Sequence, residues 1–287
     1  MDINVGERIS SEGLLEQVLQ DGVSDVTTSG AIVVQSGERI DASPKDRFFV
    51  KDAVTADKID WNAWNQEISS ENFQLMWEDA LAVLDSHLCY AAQYHVGSDR
   101  EYYQPILVNT TSARHQLFAR YFFIAVSQRS FNPQEKPSWS ILHAPYLKVN
   151  PRQYDVHSEG VVAIDIVARR ILIVGLQYAG ELKNAMYSVM SFLLPDVDVL
   201  PMRCAANQDD EGRVALFFGL EAGQTIVSLD PERALLGDHA HGWSPSGVFN
   251  FEGGCYSRCR GLSPEQEPLV YQAANRVGAL MENVVMK

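Results

Sequence analysis

Gly160 to Leu176, GVVAIDIVARRILIVGL, constrains the chain more than any other stretch. It reads as two apolar strands joined at Ala168-Arg169-Arg170, a hairpin-like element that belongs in a core. Helical patterns flank it. Ser70 can cap a segment that puts Phe73, Met76, Trp77, Ala80, Leu81 and Leu84 on one face, and a second helix from about Ala113 turns Leu117, Phe118, Tyr121 and Phe122 inward. A third, AGELKNAMYSVMSFLLP, buries Leu182, Met186, Val189, Met190 and Leu193 and is ended by Pro195. Beyond Pro201 the chain turns to short strands, VALFFGL, TIVSL and GVFNFEGG, and Ser263-Pro264-Glu265-Gln266 opens a last helix with a capping box and Pro at its first position. The alternation predicts a mixed α and β (α/β) protein rather than a repeat array or a bundle, with a boundary near Val199 that divides it into residues 1–198 and 199–287.

Of 287 residues, 46% are hydrophobic and 10% aromatic, enough for a real core. The balance of 23 basic against 37 acidic residues, a net −14, disfavours nucleic acid and anionic membrane as partners. No run approaches the roughly 18 apolar residues of a membrane span, and Met1 to Gly13 lacks the apolar region of a secretion signal. Cys89, Cys204, Cys255 and Cys259 lack paired zinc spacing, so reduced thiols in a cytoplasmic setting are expected, and no metal there.

Phe217 to Trp243, FFGLEAGQTIVSLDPERALLGDHAHGW, has the frame of a phosphate-binding loop without its phosphate-binding parts. Gly219 and Gly223 are present, but Gln224 and Thr225 stand where Gly-Lys-Thr is needed, and Glu221 adds a negative charge.

Taken in order, SPKDRFFV at Ser43, HSEGVVAIDI at His157, QYAGELKNAMYSVMSFLLP at Gln177, LPMRCAAN at Leu200, SLDPERALLGD at Ser228 and HGWSPSGVFNFEGGCYS at His241 resemble the ATP-dependent phosphoenolpyruvate carboxykinases over nearly the whole chain. The resemblance implies the carboxykinase N-terminal domain followed by a truncated, P-loop-type nucleotide-binding domain, since the family continues for roughly as much again beyond Lys287. It also implies manganese held by lysine, histidine and aspartate, and arginines that grip substrate carboxylates. Here Ala42 stands for a substrate arginine, Asn184 for a metal-binding lysine, Arg203 for the histidine ligand, and His239 and Ala240 for an Asp-Glu pair. Tyr178, Lys183, Asp238 and His241 are kept.

These replacements lead to the expectation that ATP- and metal-dependent carboxykinase chemistry is gone and no cofactor is used. The cleft then serves a lyase, isomerase or cyclase on a small carboxylate- or carbonyl-bearing substrate, in specialised biosynthesis. His239, Tyr178, Lys183 and Asp238 are the expected catalytic groups, with Arg203, Asn184 and Ala42 at the substrate. Arg203 paired with Asp238 and His239 as a plain loop histidine are the structural alternatives. A non-catalytic binding or scaffold partner is the second reading, and retained carboxykinase activity the third. A homodimer, or the last helix over Ser263 to Val285, is expected to cover the truncated sheet.

Overall fold

The structure, a computed structural model, describes residues 10–22, 24–126, 136–219 and 228–285. The apolar hairpin is where its sequence puts it. Strands β9 (Val161–Asp165) and β10 (Arg170–Val174) pair antiparallel, and the turn between them closes with Asp165 Oδ1 accepting the Ala168 N–H at 2.8 Å and Arg169 in the left-handed region at φ 53°.

This hairpin is the middle of the largest described sheet. Its order is β4 (Gln66–Ile68), β3 (Arg47–Val50), β9, β10, β8 (Trp139–Ala144), β6 (Gln104–Thr110), β5 (Tyr90–Val96) and β7 (Ile124–Ala125). Alternate residues of β9 face opposite layers, as a period of two requires. Val161 and Ala163 join Phe73, Met76 and Trp77 of helix α2 (Ser70–Ser86). Val162 and Ile164 join Phe118 of α3 (Ala113–Phe122) and Leu182, Met186, Val189 and Met190 of α5 (Gly180–Leu193). The molecule is therefore a mixed α and β protein, in keeping with the expected class.

The remaining elements sit around that sheet. Helix α1 (Ser11–Gln20) packs with β1 (Ser24–Val26), β2 (Ile32–Val34) and β17 (Leu280–Glu282), and α4 (Pro151–Tyr154) lies beside α2. After Val199 come two three-stranded sheets. One has the order β11 (Leu200–Arg203), β15 (Ala240–Ser244), β16 (Gly247–Asn250), and the other β13 (Val214–Phe217), β12 (Ala205–Gln208), β14 (Ala234–Gly237). The strands after Val199 enter new sheets, except that β17 crosses back to pair in parallel with β2.

Several local expectations shift. Ser69, not Ser70, caps α2, accepting the Asn72 N–H at 3.1 Å. Leu81 and Leu193 are half-buried, and Tyr121 is exposed. Helix α5 stops at Leu193, and Pro195 sits inside a following 3₁₀ turn. The expected last helix is corrected more thoroughly. Ser263 Oγ does accept the Gln266 N–H at 3.2 Å, but Pro268 cannot continue that turn as a helix and restricts Glu267 before it. Only α6 (Pro268–Ala274) forms, Gly278 turns the chain at φ 77°, and strand rather than helix follows. Most of TIVSL falls on residues 220–227, outside the described ones.

Candidate functional site

Three elements meet at the start of α5. Its first turns carry Lys183 and Asn184, with Tyr187 one turn beyond Lys183 on the same face. Met202 in β11 and Cys204 just past its end are buried while Arg203 between them is exposed on the other side, and register pairs Arg203 with Ala240 of β15. Across the next pair, the Phe251 N–H bonds the Ala240 carbonyl at 3.0 Å, so that Glu252 comes opposite His239. The result is a cluster of Lys183, Tyr187, Arg203, Asp238, His239 and Glu252.

Its geometry is specific. His239 Nδ1 and Glu252 Oε1 are 2.8 Å apart. The Arg203 guanidinium lies 4.5 Å from the centroid of the Tyr187 ring, and the ring of His239 is 6.1 Å from the same tyrosine. The Lys183 ammonium faces two rings, Tyr256 at 5.4 Å and Phe122 at 5.7 Å. Asp238 Oδ1 and Glu252 Oε2 are buried with no hydrogen-bond partner among the described residues. The space between Lys183, Phe122, Phe123, Met186, Phe251 and Glu252 is about 10 Å³, room for one water. A larger cavity of about 430 Å³ lies elsewhere, against Phe48, Trp61 and His157.

Burial governs the charges. It pushes the Glu252 carboxyl up to about 8 against the pull of Lys183 and Arg203, and it raises Asp238, with Glu252 adding to the effect. It lowers His239 to about 3, helped by the two nearby cations. Lys183 is lowered by the same burial, with Glu252 and Asp238 opposing.

The expected residues divide accordingly. Lys183, Asp238, His239 and Arg203 come together. No ion pair joins Arg203 to Asp238 among the described residues, and His239 is a half-buried partner of Glu252 rather than a free loop histidine. Tyr178 belongs to a neighbouring group: its ring lies 6.1 Å from Tyr256, and burial pushes its hydroxyl up to about 12. Asn184 is buried, its carbonyl accepting the Ser188 hydroxyl at 3.0 Å. Ala42 approaches α5 only through its neighbour, whose N–H (Ser43) donates to Glu181 Oε1 at 2.5 Å. Gly219 is exposed, while Glu221, Gly223, Gln224 and Thr225 lie outside the described residues. His241 is buried against the Cys204 carbonyl at 2.8 Å. All four cysteines are free thiols.

Sequence reasoning missed Glu252, Tyr187, Tyr256 and Glu282. Glu252 had a signal, since it is the charged residue of NFEGGCY, a stretch otherwise apolar and small.

A divalent metal, which the family resemblance implies, does not fit these residues. Two cations, Lys183 and Arg203, share the cluster with the carboxylates, and no group of three or more His, Cys, Asp or Glu placed to hold a metal occurs among the described residues. Among the described residues no helix is long and apolar enough to cross a membrane.

Comparison with known proteins agrees with the fold. A family model of phosphoenolpyruvate carboxykinase matches residues 4–287. A protein of Bacillus velezensis named phosphoenolpyruvate carboxykinase (ATP) is 42% identical over 285 residues, covering 99% of this chain and 54% of its own length. Proteins of the same name from Bacillus subtilis and Bacillus cereus are each 41% identical over the same shares. The chain thus spans about half the length of the curated relatives it matches. These findings correct the expectation of a lyase, isomerase or cyclase freed from carboxykinase chemistry. The relatives are carboxykinases along the whole of this chain, and none points to those reactions, to a pseudokinase-like role or to specialised biosynthesis. The coarser expectation, kinship with enzymes, stands. The replacements at Ala42, Asn184, Arg203 and His239 leave a charged cluster in place, so they do not by themselves indicate a new reaction.

Proposed function

This chain belongs to the phosphoenolpyruvate carboxykinase family, and on that premise we propose that it acts in a carboxykinase (ATP) reaction, exposed Arg203 holding a small oxo-acid by the carboxylate. Because the relatives are about twice as long, the whole activity comes to this chain as a proposal.

The observation that carries the reading is Arg203. Its exposed guanidinium lies over the Tyr187 ring and has no hydrogen-bond or ion-pair partner among the described residues, beside the half-buried ammonium of Lys183. A planar, permanently charged fork of this kind suits a carboxylate, which it can hold bidentately. Loss of CO₂ from a β-oxo-acid leaves negative charge on the former carbonyl oxygen. A fixed ammonium such as Lys183, held in a poorly solvated place, stabilises charge that develops there. The His239–Glu252 pair supplies a proton store within the same cluster. The loop expected to face a nucleotide lies outside the described residues, so the residues named here account for decarboxylation and carboxylate binding, the part of the reaction that precedes phosphoryl transfer. A cytoplasmic setting and self-association belong to the same proposal.

With oxaloacetate, ATP and a divalent cation, the chain should form phosphoenolpyruvate with turnover on the order of 1 s⁻¹ or more, the low end of ordinary enzymes. Arg203→Ala should lower kcat/KM at least about tenfold, a loss of roughly 1.4 kcal/mol of transition-state stabilisation. Product formation no faster than in the absence of protein overturns the proposal.

A further inference from the structure

The last described strand reaches the site from the far end of the sequence. In β17, which runs parallel to β2, Glu282 pairs with Val34 and directs its carboxylate at the start of α5. Its Oε1 and Oε2 accept the Ala179 N–H at 3.2 and 3.4 Å, and Oε2 also accepts the Tyr256 hydroxyl at 2.5 Å. The Tyr256 ring carries the Lys183 ammonium at 5.4 Å, meets Tyr178 at 6.1 Å and is packed edge-on against Phe118 at 5.0 Å.

Asn283, in the left-handed region at φ 58°, does the same for the facing loop. Its Oδ1 accepts the Ser36 N–H at 2.9 Å, and its Nδ2 donates to the Ile40 carbonyl at 3.2 Å. The next residue, Asp41, places a charge that acts on both Tyr178 and Lys183. Two consecutive residues therefore pin both the helix start and the loop beside it.

Electrostatics explain the placement. A helix N-terminus leaves N–H groups without partners and favours an anion, and α5 has no side-chain cap at Ala179. Here the chain supplies its own acceptor, the Glu282 carboxyl, whose pKa burial raises while the Tyr256 and Ala179 hydrogen bonds oppose that shift. The bond from Tyr256 to a carboxylate is of the stronger, charge-assisted kind.

We infer that Glu282 is a positioning residue: acting through Tyr256, it fixes where the Lys183 ammonium sits at the mouth of α5. Only the consequence for catalysis rests on the function proposed above.

The test is competitive labelling of the whole chain's amines with trace acetic anhydride from pH 7 to 11, read peptide by peptide, the other lysines serving as internal references. In the wild type Lys183 should titrate below the other lysines. In Glu282→Ala and in Tyr256→Phe, which keeps the ring and removes only the hydroxyl, water should reach the ammonium and its midpoint should rise toward theirs. A rise of one unit makes Lys183 about tenfold more protonated at a given pH above the midpoint. Glu282→Gln retains an acceptor for Tyr256 but loses the charge, so its midpoint should fall between those of the wild type and Glu282→Ala. An unchanged Lys183 midpoint in folded Glu282→Ala or Tyr256→Phe overturns the inference. Should Glu282→Ala fail to fold, Tyr256→Phe decides alone. A shifted midpoint in a chain that forms no phosphoenolpyruvate supports the positioning role while sinking the proposed reaction.

Discussion

His239 and Glu252 share one hydrogen bond, yet burial moves their proton equilibria in opposite directions. With His239 lowered to about 3 and Glu252 raised to about 8, both are favoured neutral at neutral pH, the acid hydroxyl of Glu252 donating to Nδ1. The consequences for stability have opposite signs. The folded pKa of His239 lies below its ordinary 6.5, so its contribution is present above pH 6.5 and is lost as pH falls toward about 3. For Glu252 the folded value lies above the ordinary 4.5, so its contribution is full below pH 4.5 and is lost as pH rises through about 8. Urea unfolding should therefore show the wild type losing ground to His239→Gln on acidification from pH 6.5, and to Glu252→Gln on raising the pH from 4.5 to 8. Flat differences for both variants contradict this account of the pair. That Lys183, Arg203, Asp238 and His239 lie near one another was legible because short motifs fix their register. Glu252, Tyr256 and Glu282 were less so, because their partners lie on other elements and no local pattern announces a contact across the fold.

At the scale of elements, two glycines near α5 separate stability from function. A Cβ on Gly180 would come 2.4 Å from the Tyr178 ring, a side chain that can swing aside. Gly180→Ala should keep its far-UV circular dichroism and melt within a few degrees of the wild type, while displacing Tyr178 and weakening substrate binding. At Gly175 the same Cβ would meet the Glu159 carbonyl at 2.4 Å, on backbone already at φ 64°. Gly175→Ala should cost about 1–3 kcal/mol of stability. Equal effects of the two on melting would contradict the distinction. Helices α2 and α5 and the β9–β10 hairpin were readable because their apolar spacing matches one period each. The stretch from Ser263 to Val285 was not. Its capping signal is satisfied by a turn, Pro268 resets the backbone, and the fate of Leu280–Glu282 is decided by an edge of β2 far away in sequence.

Over the whole molecule, the eight-stranded sheet holds α5 rigidly on one face, and the small sheets after Val199 bring Arg203, His239 and Glu252 against its first turns. The sheet core was legible as a class of fold. The reaction was not, since the replaced residues suggested a new one while the relatives matched across 99% of the chain are named carboxykinases. Charge makes the site stand out: in a chain of net −14, two cations, Lys183 and Arg203, converge at the place proposed above for a carboxylate. The most direct test is calorimetric titration with oxalate, a stable dicarboxylate, of the wild type, Arg203→Lys and Arg203→Ala at low ionic strength. Saturable binding by the wild type is predicted, weakened in Arg203→Lys and reduced at least about tenfold in Arg203→Ala, or roughly 1.4 kcal/mol, with melting temperatures unchanged. Oxalate affinity equal in all three proteins, or no binding by the wild type, would contradict the claim that Arg203 holds the substrate carboxylate.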